Sequence, residues 1–171
     1  AEEHAKLEAM RHDDGKNTQG FQRRLRGGPA VDHSTAGAFE CFRANAVHEA
    51  ICIVGHHGGL PDVGNAKMDT PEDGTFFGRM KKAMSGGIEE PLGMDRPITA
   101  LPRPNFYGDR FYESVWIKML YSCLVDADYL DTENFMSGGK AAREEYDDMA
   151  TLLAYFEKHI APWANPQGEL N

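Results

Sequence analysis

The chain has few cysteines, too little positive charge to balance its acids, no long apolar run and almost no strand-type alternation. Cys41, Cys52 and Cys123 show no Cys-x-x-Cys spacing. Each falls in an apolar helical pattern and is expected to be a buried free thiol in a reducing, cytoplasmic compartment, which excludes a domain stapled by disulfides. Eighteen Lys and Arg stand against 27 Asp and Glu, a formal net charge of −9. That balance argues against gripping nucleic acid by bulk charge. It leaves room for a nuclease, because bound divalent ions and local basic patches can offset it. No apolar run approaches the ~20 residues of a membrane span, so no membrane partner is expected. The charged N-terminus carries no visible signal peptide. Runs rich in Val, Ile and Thr are scarce, which excludes a sheet-based fold.

Helical patterns dominate instead. Residues 2–12 read as a charged helix ending near "HDDGK". "NTQGFQRRLRGG" reads as a short helix closed by Gly27 and Gly28, and "DHSTAGAFECFRAN" as a helix with Asp32 or Ser34 as its N-cap. In "AVHEAICIVGHH" the apolar positions Val47, Ala50, Ile51 and Val54 share a face, and the helix is expected to stop at Gly58 and Gly59. A Gly- and Pro-rich stretch, residues 60–110, follows with one helix around "GTFFGRMKKAMSGG". "FYESVWIKMLYSCLVDADYL" and "AREEYDDMATLLAYFEKHI" are the last two helices, and "APWANPQGELN" trails off like a boundary. The expectation is one all-α domain over residues 1–171, with a long irregular insertion between the central helices.

Metal-ligand side chains recur on this scaffold. "RHDDGK" sets His12 beside Asp13, with Lys16 three residues on; "VDHSTAG" puts His33 at a helix start; "HHGG" holds His56 and His57 at a helix end. In "CLVDADYL" acids interrupt the most apolar helix, and a carboxylate on a buried face needs a cation or another partner. At ~100° per residue, Asp128 lies about 40° from Leu124, inside the apolar arc, whereas Asp126 lies about 120° from Leu120, outside it. Asp128 is therefore the expected inward acid and Asp126 a rim residue. His48 and His159 have charged neighbours and read as surface residues. His4 lies about 12 Å of helical rise from His12, too far to share a site. Mixed His and Asp ligands suit Mn, Fe, Co, Ni or Zn better than Ca, with Mg admitted. One carboxylate can bridge two such ions, and a lysine one turn away can neutralise a phosphate oxygen.

The order HD, DHS, HHGGLPD, VDADYLDTE resembles the HD nuclease domain of the CRISPR-associated Cas-three helicase-nucleases of type I systems. "QRRLRGG", "VDHSTAGA", "GHHGGLPD" and "APWANPQGELN" are in the style of the subtype C branch. The resemblance covers nearly the whole chain. It implies an HD-superfamily helical fold, one or two divalent transition metals, and cleavage of single-stranded DNA, either within the strand or from an end. It implies as partners a helicase domain and the Cascade surveillance complex. Position by position, the implied ligands are His12, Asp13, His33, His56, His57 and Asp128, with Asp13 bridging and Lys16 the catalytic lysine. His56 and His57 would both serve the second metal. The family also carries a metal-binding histidine upstream of HD that has no counterpart here, so the first metal is expected to be the weaker. Asp14 stands where the family has a small or apolar residue. No Walker-type GxxxxGK[ST] is present, so the chain is expected to be a nuclease domain apart from its helicase, or a stand-alone nuclease.

Basic residues cluster at Arg23, Arg24 and Arg26, and at Arg79, Lys81 and Lys82 beside Phe76 and Phe77. Basic and aromatic side chains together suit a single strand, through phosphate contact and stacking. Two other readings compete. One is an HD phosphohydrolase acting on nucleotides in a closed pocket. The other is a metal-poor structural or recruiting domain.

Overall fold

A computed structural model describes residues 1–92, 97–99, 101–139 and 147–164. It is all helical: α1 Glu2–Arg11, α2 Gln19–Arg24, α3 Ser34–Arg43, α4 Val47–Gly55, α5 Phe76–Met84, α6 Arg110–Met136 and α7 Met149–Ala164, with a 3-10 turn at Asp14–Asn17. The chain divides into two compact units, Ala1–Glu133 and Asn134–Asn171. Among the described residues no helix is long and apolar enough to cross a membrane.

In the first unit α3 and α4 form an αα-hairpin. Its three-residue link is possible because Asn45 adopts φ 64°, a left-handed conformation that asparagine tolerates. Ala46 N–H then donates to the Cys41 carbonyl at 2.9 Å and Asn45 N–H to Phe42 at 3.0 Å, satisfying the last carbonyls of α3. Every residue of α4 from Glu49 to Gly55 is buried. From Ala50 to Gly55 the helix is apolar on all sides, as expected of one at the centre of its domain, with Glu49 the one buried acid. Ile53, Cys52 and Val54 join Ala38 and Cys41 of α3, Phe76 and Met80 of α5, and Leu120 and Leu124 of α6 in one core.

The ends of elements depart from the sequence patterns in physically readable ways. α4 stops at Gly55, three residues before the glycine pair, so both histidines leave the helix and sit in the turn. α6 runs on through Asp131 to Met136, yet only Leu120 and Leu124 of it are buried. Cys123 is consequently exposed, whereas Cys41 and Cys52 are buried as expected. Burial pushes both of those thiols up and holds them protonated. α7 continues past Ile160 and accommodates Pro162. The expected residues 140–146 of its N-terminal half, and 165–171 of the C-terminal tail, lie outside the described residues. Between α5 and α6 the described residues carry no helix, in keeping with an irregular insertion.

Candidate metal centre

Four chain segments deliver the site, and each is fixed locally. His12 follows the last residue of α1, and its Nδ1–H donates to the Ala9 carbonyl at 3.0 Å. Asp13 follows at the start of the 3-10 turn, where the Lys16 N–H donates back to its carbonyl at 2.8 Å. His33 caps α3. Beside it, the Asp32 carboxylate accepts from Ser34 N–H and O–H, both at 3.0 Å, and from Thr35 N–H at 3.3 Å and O–H at 2.5 Å. His56 caps the C-terminus of α4, and its Nδ1–H donates to the Ile53 carbonyl at 2.7 Å.

Two glycines set how closely these segments meet. A Cβ on Gly15 would stand 2.0 Å from the His33 carbonyl oxygen, and one on Gly37 would stand 1.9 Å from that of Arg11. The HD turn therefore lies backbone to backbone on the start of α3. Arg11 and Asp14 bracket the HD pair and join each other at 3.2 Å, with both side chains buried. Asp14 thus takes part in a structural ion pair. Burial nevertheless pushes its carboxyl up, against the pull of Arg11.

The donor atoms fall into two groups sharing Asp13. Asp13, His33, His56 and His57 form one, and His12, Asp13 and Asp128 the other. Asp13 Oδ1 lies 3.7 Å from His33 Nε2 and 3.9 Å from His56 Nε2, and His33 Nε2 faces His57 Nε2 at 2.9 Å. On the other side His12 Nε2 lies 3.4 Å from Asp13 Oδ2 and 3.6 Å from Asp128 Oδ1. Metal bonds of about 2.0–2.1 Å put neighbouring ligand atoms roughly 3–3.4 Å apart, so these gaps are close to ligand spacing and most are long for hydrogen bonds.

The residues fit an ion on a further count. Asp13 Oδ1 and His56 Nε2 are both buried and neither has a hydrogen-bond partner. Leaving such atoms unpaired is costly. Because His56 Nδ1 carries the proton given to Ile53, its Nε2 is a lone pair aimed into the cluster, the tautomer that metal ligation requires. Burial, then the charge of His57, holds the His33 imidazole below its ordinary pKa; burial lowers His56 as well. Burial raises the Asp13 carboxyl, but the Lys16 hydrogen bond and the charges of His12, Lys16 and His33 outweigh it and hold the group low. His33 and His56 are therefore biased toward the neutral imidazole and Asp13 toward the ionised carboxylate. These His and Asp groups are positioned to bind a metal ion.

All six sequence-predicted ligands converge here. Asp128 does so from the C-terminal half of α6, while Asp126 is exposed. Lys16 donates Nζ to Asp13 Oδ2 at 2.6 Å. His159 is exposed as expected, whereas His48 is half-buried against Glu113, 3.9 Å away, and Tyr107, because the segment before α6 folds over it. Of the basic candidates, Arg23 pairs with Glu89 at 2.9 Å, Arg24 and Arg26 are exposed, and Lys81 donates to the Asp69 carbonyl.

Sequence reasoning missed a second polar cluster beneath α1. The His4 imidazole is hydrogen-bonded to the Glu49 carboxylate, and Glu8 is fully buried near Cys52 and Glu49, with its carboxyl pushed up to about 8 by burial. The only sequence signal was an acid one turn before His12 on a helix too charged to show an apolar stripe. Comparison with protein-family models, with curated proteins and with solved structures found no match to this chain.

Proposed function

We propose that the chain is a metal-dependent phosphodiesterase of the HD type that cuts single-stranded DNA in type I CRISPR interference. A helicase domain and the Cascade complex would be its partners in the cytoplasm. The observation that carries the metal-dependent part is Asp13, one carboxylate shared by two ligand groups, with one oxygen buried and unpaired. Single-stranded DNA as substrate rests on the motif order of the sequence.

Bound divalent ions would supply Lewis acidity to phosphoryl oxygens and activate water at neutral pH. The chain's own residues do the rest. Asp13, His33, His56 and His57 would hold one ion, and His12, Asp13 and Asp128 the other. Lys16 stands on the open side of Asp13, with 42 % of its side chain exposed. It places a cation where a phosphate oxygen gains charge in the transition state. His57 is exposed and Asp13 a third exposed, so the centre is reached from the surface. That access favours a polymer over a small nucleotide held in a closed pocket.

Circular single-stranded DNA has no ends and tests the reading directly. Linearisation with Mn, Co or Ni, and none with a chelator, is expected. Release of nucleoside from free nucleotides with the circle left intact would favour the phosphohydrolase reading instead.

A further inference from the structure

Arg79, Lys81 and Lys82 form one basic patch in the sequence, but the fold separates them. Lys81 turns to the Asp69 carbonyl. Arg79 and Lys82 line a cavity of about 490 Å³ together with Thr18, Asp32 and Glu72. Arg79 also lines a second cavity of about 390 Å³, whose wall includes Ser34, Gly58 and the metal-centre residue His57. Both volumes fall within the ~300–1,000 Å³ of small-ligand sites. The two cavities share Asp32, Gly74 and Arg79. Arg79 thus borders both cavities, the one that reaches His57 and the one that reaches Lys82.

The charges lining these cavities are unequal in freedom. The Asp32 carboxylate is taken up by four donors from Ser34 and Thr35. Asp73 accepts from Thr70, and Glu89 accepts from Gly20 and Arg23. The Arg79 backbone N–H is spent on the Thr75 carbonyl, but its guanidinium makes no hydrogen bond and no ion pair within 4.0 Å among the described residues; Asp32 feels its charge only at longer range. A half-buried arginine whose guanidinium has no partner among the described residues, lining a cavity that His57 also lines, is matched to an oxyanion by charge and by its planar fork of donors.

We propose that Arg79 anchors the DNA phosphate adjacent to the one being cut and leads the strand along α5 toward Lys82. This rests on the nuclease reading above. Arg79 is a positioning residue, since it stands off the reacting atoms.

The test uses the full chain and a fluorescein-labelled oligothymidylate in chelator, so that binding is read without cleavage, with manganese binding followed separately by calorimetry. R79A is expected to weaken the oligonucleotide about tenfold and to flatten the slope of log affinity against log salt by roughly 0.7, the contribution of one phosphate contact on a single strand. R79K should recover part of the loss. R79A should bind as much manganese as the parent. R43A removes an equal charge from an exposed position on α3 and should change neither affinity nor slope. Unchanged affinity in R79A, an equal loss in R43A, or a parent that binds no oligonucleotide would each overturn the proposal. A parent that binds the strand through Arg79 but cuts nothing with any metal would instead overturn the nuclease reading and leave the phosphate anchor standing.

Discussion

Asp13 and His56 hold a carboxylate oxygen and an imidazole nitrogen 3.9 Å apart, both buried and neither hydrogen-bonded. The gap is too long for a hydrogen bond and somewhat wider than the spacing of two ligands already drawn onto one ion. Asp13 comes from the turn after α1 and His56 from the end of α4. The fold thus brings together two unsatisfied groups that a shared third partner would satisfy.

The two ligand groups should differ in strength. Four side chains are positioned to hold one ion and three to hold another, with Asp13 in both groups. H56A or H57A should abolish the tight manganese site in a calorimetric titration, whereas D128A should leave it and remove only weak binding. A tight site lost in D128A but kept in H56A would reverse the assignment.

Asp13 and Lys16 should separate in kind. D13A should lose both ions and all detectable cleavage, because its carboxylate serves both groups. K16A should keep its metal content and lose roughly 10²–10³ in turnover, the usual cost of removing one transition-state charge stabiliser. Metal analysis of purified K16A checks the distinction.

The imidazoles of His33 and His56 should titrate below the ordinary 6.5, as burial disfavours their charged form. In the unfolded chain both titrate near 6.5, so below that pH the unfolded state binds more protons. Stability of the metal-free protein should therefore fall as pH drops through 6.5 and toward the folded midpoints. Their NMR midpoints in metal-free protein check the direction.

Glu8 carries the opposite sign. Its carboxyl is held near 8 in the fold against 4.5 in the free side chain. Between those values the folded state keeps a proton that the unfolded state has lost, so this contribution to stability shrinks as pH rises. E8Q stays neutral throughout. It should be more stable than the parent at pH 8, by a few degrees in Tm, and lose that advantage at pH 5.

The close approach of the HD turn to α3 predicts a structural variant. In G15A the new methyl group meets the His33 carbonyl. About 1–3 kcal/mol of destabilisation is expected from such overpacking, with weaker manganese binding because His33 is displaced. Urea unfolding and the metal titration read both.

The sequence shows the helices, and helical geometry alone selects Asp128 over Asp126. Both follow from local periodicity, which one chain segment carries by itself. The convergence of His12, Asp13, His33, His56, His57 and Asp128 enters through the order of motifs, since no spacing in the chain reveals which helix ends meet. The buried state of Glu8 and His4 is not legible, because α1 is charged on nearly every face and its partner surface on α4 lies some forty residues away. The exposure of Cys123 is missed for the converse reason. α6 has apolar residues around its circumference, yet only Leu120 and Leu124 are buried. Separating Arg79 from Lys81 likewise needs the loop that supplies the Asp69 carbonyl.

Anomalous scattering from a crystal of the chain grown with manganese tests the central claim most directly. The account predicts a strong peak bounded by Asp13, His33, His56 and His57, and a weaker or absent one between His12, Asp13 and Asp128. Manganese bound elsewhere with this cluster empty, or a cluster closed by direct hydrogen bonds between Asp13 and His56, would contradict it.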